Sequence, residues 1–156
     1  MAADRSYIAE NDAQRKRLEA FVSRASDQVL ATPMPAGWTV AAVLAHLAFW
    51  DQRIVVLLEQ WKTAGVDAVP RTVVEHDVHW INDAGKPHCL ALPPRAAAQL
   101  AVAAAEAADT KLAALPDQFL AANLATGSPL IVVRARHRKE HLDEIERALS
   151  GARERG

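Results

Sequence analysis

About one residue in five of this chain is alanine, and its larger apolar residues recur at three- and four-residue steps rather than alternately. Alanine is the strongest helix former, and that spacing is the period of a helix face. β-Branched and aromatic residues are sparse, and the few glycines fall between the periodic segments. These features together predict helices and leave little material for a sheet.

From about Tyr7 to Leu30, the residues Ile8, Leu18, Phe21, Val22, Val29 and Leu30 form one stripe among charges, and the run PMPAG ends this first helix. Thr39 precedes the next apolar stretch, where its hydroxyl can accept from a free N–H of the first turn. The second helix is expected to run to about Ala64 and stop at Gly65. Between Val66 and Leu92, the spacing of Pro70, Gly85 and Pro87 leaves room for a short helix only, Thr72 to Asp83. Pro93 and Pro94 open an alanine-rich third helix that ends at Pro116. A Gly-Ser-Pro turn at 127–129 introduces a fourth helix, in which Ile131, Ala135, Leu142, Ile145 and Leu149 repeat and which ends at Gly151.

Four helices of about 20 residues, each about 30 Å long at 1.5 Å per residue, predict an all-α four-helix bundle. It forms one domain over residues 1–156, with a short extra helix or irregular segment between helices two and three. A mixed fold with strands in 66–92 is the alternative, but that segment lacks alternation.

Charge narrows the function classes. With 18 Lys plus Arg against 19 Asp plus Glu, the net charge is −1, and a dedicated nucleic-acid binder would need a basic excess. Cys89 is the single cysteine, so no intrachain disulfide or cysteine-rich metal site can form; the cytoplasm is the expected compartment. The N-terminus is charged from Asp4 onward and does not read as a secretory signal. No stretch is expected to approach transmembrane length, since the most apolar one, Val40 to Leu58, is interrupted by His46, Asp51 and Arg53.

His137 and His141 carry the strongest chemical signal. Residues four apart share a helix face and can share one metal ion, although two surface histidines on a charged helix would look the same. His46 lies in AAVLAHLAFWDQR, on the most apolar helix, where an imidazole must find a partner or stay neutral. Taken singly it reads as a core histidine. Histidines converging from facing helices are, however, how bundles build metal sites, so His46, His137 and His141 form a candidate site. An all-nitrogen set suits Zn, Ni, Cu or Fe rather than Mg or Ca.

The segments GWTVAAVLAHLAFWDQR (37–53), HWIND (79–83), LPD (115–117) and HRKEHLDEIERAL (137–149) make the chain similar, over nearly its whole length, to the DinB-like (DinB/YfiT) superfamily of four-helix-bundle metalloenzymes. That superfamily includes mycothiol-dependent maleylpyruvate isomerases and bacillithiol transferases. Its pattern has one histidine in the second helix and an H-x-x-x-H pair in the fourth, so the resemblance implies that His46, His137 and His141 are ligands of one divalent ion, Zn, Ni or Fe. Two departures stand out. Ala42 occupies a position that is often acidic, which removes a capping-box partner. A chain of 156 residues also leaves no room for the additional C-terminal domain of the maleylpyruvate-isomerase-like members, so that activity is not implied.

Other residues weigh less. His76 and His79 are a rival metal pair, read more simply as surface histidines. Asn82 matches a polar position of the family, so the resemblance implies that it faces the bundle mouth; read without it, Asn82 caps a helix. Arg134, Arg136, Arg138 and Lys139 read as a solvated face, with Arg136–Glu140 and Lys139–Asp143 pairs four apart, although they could also attract an acidic substrate. Trp50 and Trp61 read as core, Cys89 has no nucleophile motif around it, and Asp51, Glu140 and Glu144 are not expected to supply a dedicated base.

The resulting expectation is a metal-binding protein that joins a low-molecular-weight thiol to an electrophilic small molecule, thiol transfer being what the resemblance implies. A metal-dependent hydrolase and a non-catalytic small-molecule-binding bundle are the alternatives. Expected partners are a small-molecule substrate and a second copy in a homodimer, with neither nucleic acid nor membrane.

Overall fold

A computed structural model describes residues 2–71 and 73–156. The elements are α1 (Tyr7–Arg24), α2 (Asp27–Leu30), a two-residue strand β1 (Pro33–Met34), a 3-10 turn (Pro35–Gly37), β2 (Trp38–Thr39), α3 (Val40–Ala64), α4 (Glu75–Ala91), α5 (Pro94–Ala113), α6 (Asp117–Ala125) and α7 (Ala135–Arg155). The long helices α1, α3, α5 and α7 form the bundle. α1 and α3 each pack against both α5 and α7, which puts them on opposite corners.

The chain's alanines make the tightest seam. Ala97, Ala98, Ala101, Ala104, Ala105 and Ala108 of α5 are buried, as are Ala41, Ala42, Ala45 and Ala48 of α3, and α3–α5 is the most extensive helix contact. Side chains this small let the two backbones approach closely. Two apolar clusters form the core. One gathers Leu18, Phe21, Leu44, Leu47, Leu142 and Ile145; the other gathers Tyr7, Ile54, Leu58, Trp61, Leu112 and Phe119. On every bundle helix the polar residues Asn11, Asp51, Asp109, Arg134 and Arg138 fall between or beside them, making a polar layer across the bundle.

α3 begins and ends where its sequence dictates. Thr39 Oγ1 accepts from the Ala42 N–H at 3.1 Å, and Gly65, at φ +100°, closes the helix by donating its N–H to Trp61 O. At 25 residues and a mean hydropathy of 1.5, α3 is long and apolar enough to cross a membrane by length and composition, contrary to the sequence expectation. Its apolar surface is used inside the bundle, with 61% of its apolar 18-residue stretch buried.

Four boundaries differ from expectation. The first helix stops at Arg24, because Ala25 turns extended (ψ 126°), and Ser26 then caps the separate turn α2 by accepting from Val29 N–H. The short helix expected at Thr72–Asp83 is α4, Glu75–Ala91, which runs through Gly85 and Pro87; its expected first residue, Thr72, lies outside the described residues. Tertiary anchors outweigh the helix breakers here: Trp50 Nε1 donates to Asn82 Oδ1 at 2.9 Å, Lys86 Nζ donates to Ala36 O, and Cys89 and Leu92 pack on the core. The third helix ends at Ala113, and α6, which the sequence reading passes over, follows Pro116 and packs Phe119 against Trp61 in a T-shaped pair. The fourth begins only at Ala135 and passes Gly151 to reach Arg155; Ile131 stays exposed. The start of α7 is fixed from a distance, by Asn11 Oδ1 accepting the Ala135 N–H at 2.9 Å. The strand pair β1–β2, with Pro33 opposite Thr39 and Met34 opposite Trp38, lies in the PMPAG connection; segment 66–92 holds no strand among the described residues.

Candidate metal centre

His46 projects from the second turn of α3, and His137 and His141 project one turn apart from the first half of α7, the neighbouring helix. One ligand-type nitrogen from each of the three lies within 4.8 Å of the others. His46 Nε2 and His137 Nε2 are 3.2 Å apart. Two nitrogens each bound to a zinc-like ion at about 2.0–2.1 Å with near-tetrahedral angles would stand about 3.3 Å apart. The donor set therefore fits one divalent transition ion in both chemistry and spacing. His46 is 9% exposed, and Trp38 and Trp50 stand in T-shaped arrangements with it at centroid distances of 5.8 and 6.4 Å.

Ligation needs neutral imidazoles. Burial, then the neighbouring His141, brings the His46 pKa down to about 4. Burial, followed by His141, Arg134, His46 and Arg138, brings His137 to about 2. Both rings are thus held neutral at physiological pH. His141 Nδ1 lies 2.7 Å from Glu144 Oε2. A carboxylate only accepts, so Nδ1 carries a hydrogen and Nε2 is the nitrogen left to ligate; a carboxylate is a usual second partner of a metal-binding histidine. His137 is held differently. Arg134 Nη2, which only donates, lies 3.4 Å from its Nδ1. That contact favours hydrogen on Nε2, the opposite of what ligation through Nε2 requires, so Arg134 and an ion compete for the tautomer of His137.

Behind the histidines lies an ionic layer that sequence reasoning missed. Arg134 Nε donates to Asp51 Oδ1 at 2.8 Å and Arg138 Nε to Oδ2 at 3.1 Å. Arg138 also grips Asp109 with both terminal nitrogens at 2.8 Å, and Arg15 Nε reaches the same carboxylate at 3.2 Å. Arg138 is 0% and Asp51 1% exposed, and no buried side-chain nitrogen or oxygen among the described residues lacks a partner. The basic run is therefore no uniform solvated face. Arg134 and Arg138 point inward, Arg136 and Lys139 are exposed, and of the two expected pairs only Lys139–Asp143, at 2.7 Å, forms among the described residues. The available signal was the phase: 134, 138, 142 and 145 share one face of α7, whose last two members are core leucine and isoleucine.

The histidines open into a cavity of about 1080 Å³ bounded by β1–β2, α3, α4 and α7. Trp38 and Val43 supply apolar wall, whereas Arg136, Glu140 and Arg147 supply charge. Asn82 lies within α4 at this mouth and caps nothing; Trp50, which donates to it, is half-buried here rather than core, while Trp61 is core. His79 also lines the mouth but is separated from the triad, its side chain 73% exposed and 3.8 Å from Glu75. His76 and His79 join no group of three ligand residues among the described residues. Asp51 and Glu144 are each engaged by a partner, and Glu140 lines the mouth.

The family described as the mycothiol maleylpyruvate isomerase N-terminal domain, part of the DinB-like superfamily, has a sequence model that matches residues 12–149. No curated protein and no solved structure matches.

Proposed function

The chain belongs to the mycothiol maleylpyruvate isomerase N-terminal domain family, and from that premise and the histidine cluster we propose a metal-dependent transferase that joins a low-molecular-weight thiol to an electrophilic small molecule. The observation that carries this reading is the convergence of three imidazoles, from two helices, on an open cavity. His46, His137 and His141 would hold the ion, leaving a position toward the cavity. A bound divalent ion there supplies the acidifying power that makes a thiol a thiolate near neutral pH.

The chain's own residues do the rest. Glu144 fixes the His141 ring, and Asp51, held by two arginines, locks the first turns of α7 to α3 so that the three rings keep their spacing. Arg136 and Arg147 at the mouth attract anionic groups on either reactant, and Trp38 and Val43 keep the floor poor in water. Thiol transfer is favoured over hydrolysis by the family match; Asp51 and Glu144 are committed to partners, and Glu140 is the carboxylate left at the mouth to take a proton from either reactant. This chemistry suits the cytoplasm, where small thiols are kept reduced.

The test is turnover. Metal-loaded protein should consume a small thiol together with a conjugated or epoxide electrophile, and His141→Ala should abolish consumption while leaving the helical circular dichroism intact. Consumption equal in wild type and variant would overturn the reading.

A further inference from the structure

A second cavity, of about 1010 Å³, runs along the other side of His46 between α3, α4 and α5. Its α3 wall is the stripe His46, Phe49, Arg53 and Val56, with Leu100 and Ala104 of α5 opposite. Phe49, Val56 and Leu100 are 50%, 42% and 48% exposed, more apolar surface than a free helix face needs to show. His46 and Asn82 line both cavities, so this groove and the metal mouth meet at the histidine.

One charge interrupts the apolar wall. The Arg53 guanidinium lies over the Trp50 ring, 5.6 Å from its centroid, and no carboxylate pairs with it among the described residues. Burial, reinforced by the like charge of Arg134, disfavours its charged form, so the cation stands partly desolvated and uncompensated. Every other arginine that is half-buried or deeper among the described residues, Arg5, Arg15, Arg17, Arg95, Arg134 and Arg138, holds at least one carboxylate.

We propose that the groove binds an apolar monocarboxylate of medium length, its carboxylate on Arg53 and its hydrocarbon running along Phe49 toward His46. Charge complementarity selects the anion, and the apolar walls select the body. His46 and Arg53 are seven residues apart on one helix, about 10 Å along its axis at 1.5 Å per residue. A ligand anchored at Arg53 can therefore present its far end to the metal mouth. That placement as the electrophilic substrate rests on the proposed function; the binding itself does not.

The experiment is calorimetric titration of the purified chain with decanoate, decan-1-ol and decylamine, with sedimentation velocity at the same concentrations. One decanoate per chain is expected, with decan-1-ol about tenfold weaker, the loss of one charged hydrogen-bonded pair, and decylamine weaker still. Arg53→Gln should bring decanoate down to the level of the alcohol without changing metal content, Phe49→Asp should weaken both, and His141→Ala, at a residue that does not line the groove, should still bind decanoate. A chain that binds decanoate this way but holds no metal supports the groove and overturns the proposed reaction. Equal affinity for acid and alcohol, decanoate binding unaltered by Arg53→Gln, or a dimer that Phe49→Asp converts to monomer would overturn the assignment, the last by showing that a second copy covers the groove.

Discussion

His46 and His137, 91 residues apart in sequence, bring their Nε2 atoms to 3.2 Å across the α3–α7 contact. Without an ion, one of the two nitrogens must carry a hydrogen for that distance to be attractive; with one, both lone pairs point at it. The pair is held there by the Asp51–Arg134–Arg138 layer, which joins the same two helices.

Breaking that layer should cost the fold heavily. Asp51→Ala leaves Arg134 without its carboxylate and Arg138 with only Asp109, and removing one partner of a buried pair typically costs about 3–5 kcal/mol. Thermal unfolding should shift down by roughly 10 °C or more. Asp143→Ala, at the more exposed Lys139 and Arg17 pairs, should change stability by less than about 1 kcal/mol. Equal shifts in the two variants would refute a structural role for the layer.

Glu144 should act on metal affinity through His141. Glu144→Gln can no longer stabilise the ring's Nδ1–H with a charge, and loss of such a partner typically weakens binding by about 10–100-fold. Competition against a zinc chelator reads this directly, and unchanged affinity would exclude the carboxylate from the site.

Arg134→Met is expected to do the opposite. It removes a nearby positive charge and the donor that favours hydrogen on His137 Nε2, while Arg138 continues to hold Asp51. The ion should bind about tenfold more tightly at low salt. Weaker binding would mean that Arg134 orients His137 for ligation rather than competing with it.

Acid should destabilise the metal-free protein well before carboxylates titrate. His46 and His137 have folded pKa values of about 4 and about 2, below the unfolded value of about 6.5. Above that value both states are neutral and nothing changes. As pH falls below it, the unfolded chain takes up protons that the folded one refuses, and stability drops by up to about 1.4 kcal/mol per pH unit for each histidine. Unfolding of the chelated protein at pH 7 and pH 5 should show this loss, and His137→Asn should roughly halve it. A wild-type curve already flat between these values would contradict burial of neutral rings.

Much of this was legible in the residues themselves. Local signals sufficed for α3, where Thr39 and Gly65 mark both ends, and the histidine spacing with the family resemblance singled out the three residues that converge. Distant contacts were not legible. Nothing local shows that Asn11 starts α7, or that Trp50 and Ala36 hold α4 through a glycine and a proline. Arg134 and Arg138 looked solvated because their partners Asp51 and Asp109 come from other helices, and only the bundle brings four charges into one buried layer.

Metal content tests the central claim most directly. Elemental mass spectrometry on untagged protein, after incubation with Zn, Ni or Fe(II) and removal of excess, should find about one ion per chain in the wild type and none retained by His46→Ala, His137→Ala or His141→Ala. A wild type that holds no ion, or variants that hold as much as it does, would contradict a metal centre at these three histidines.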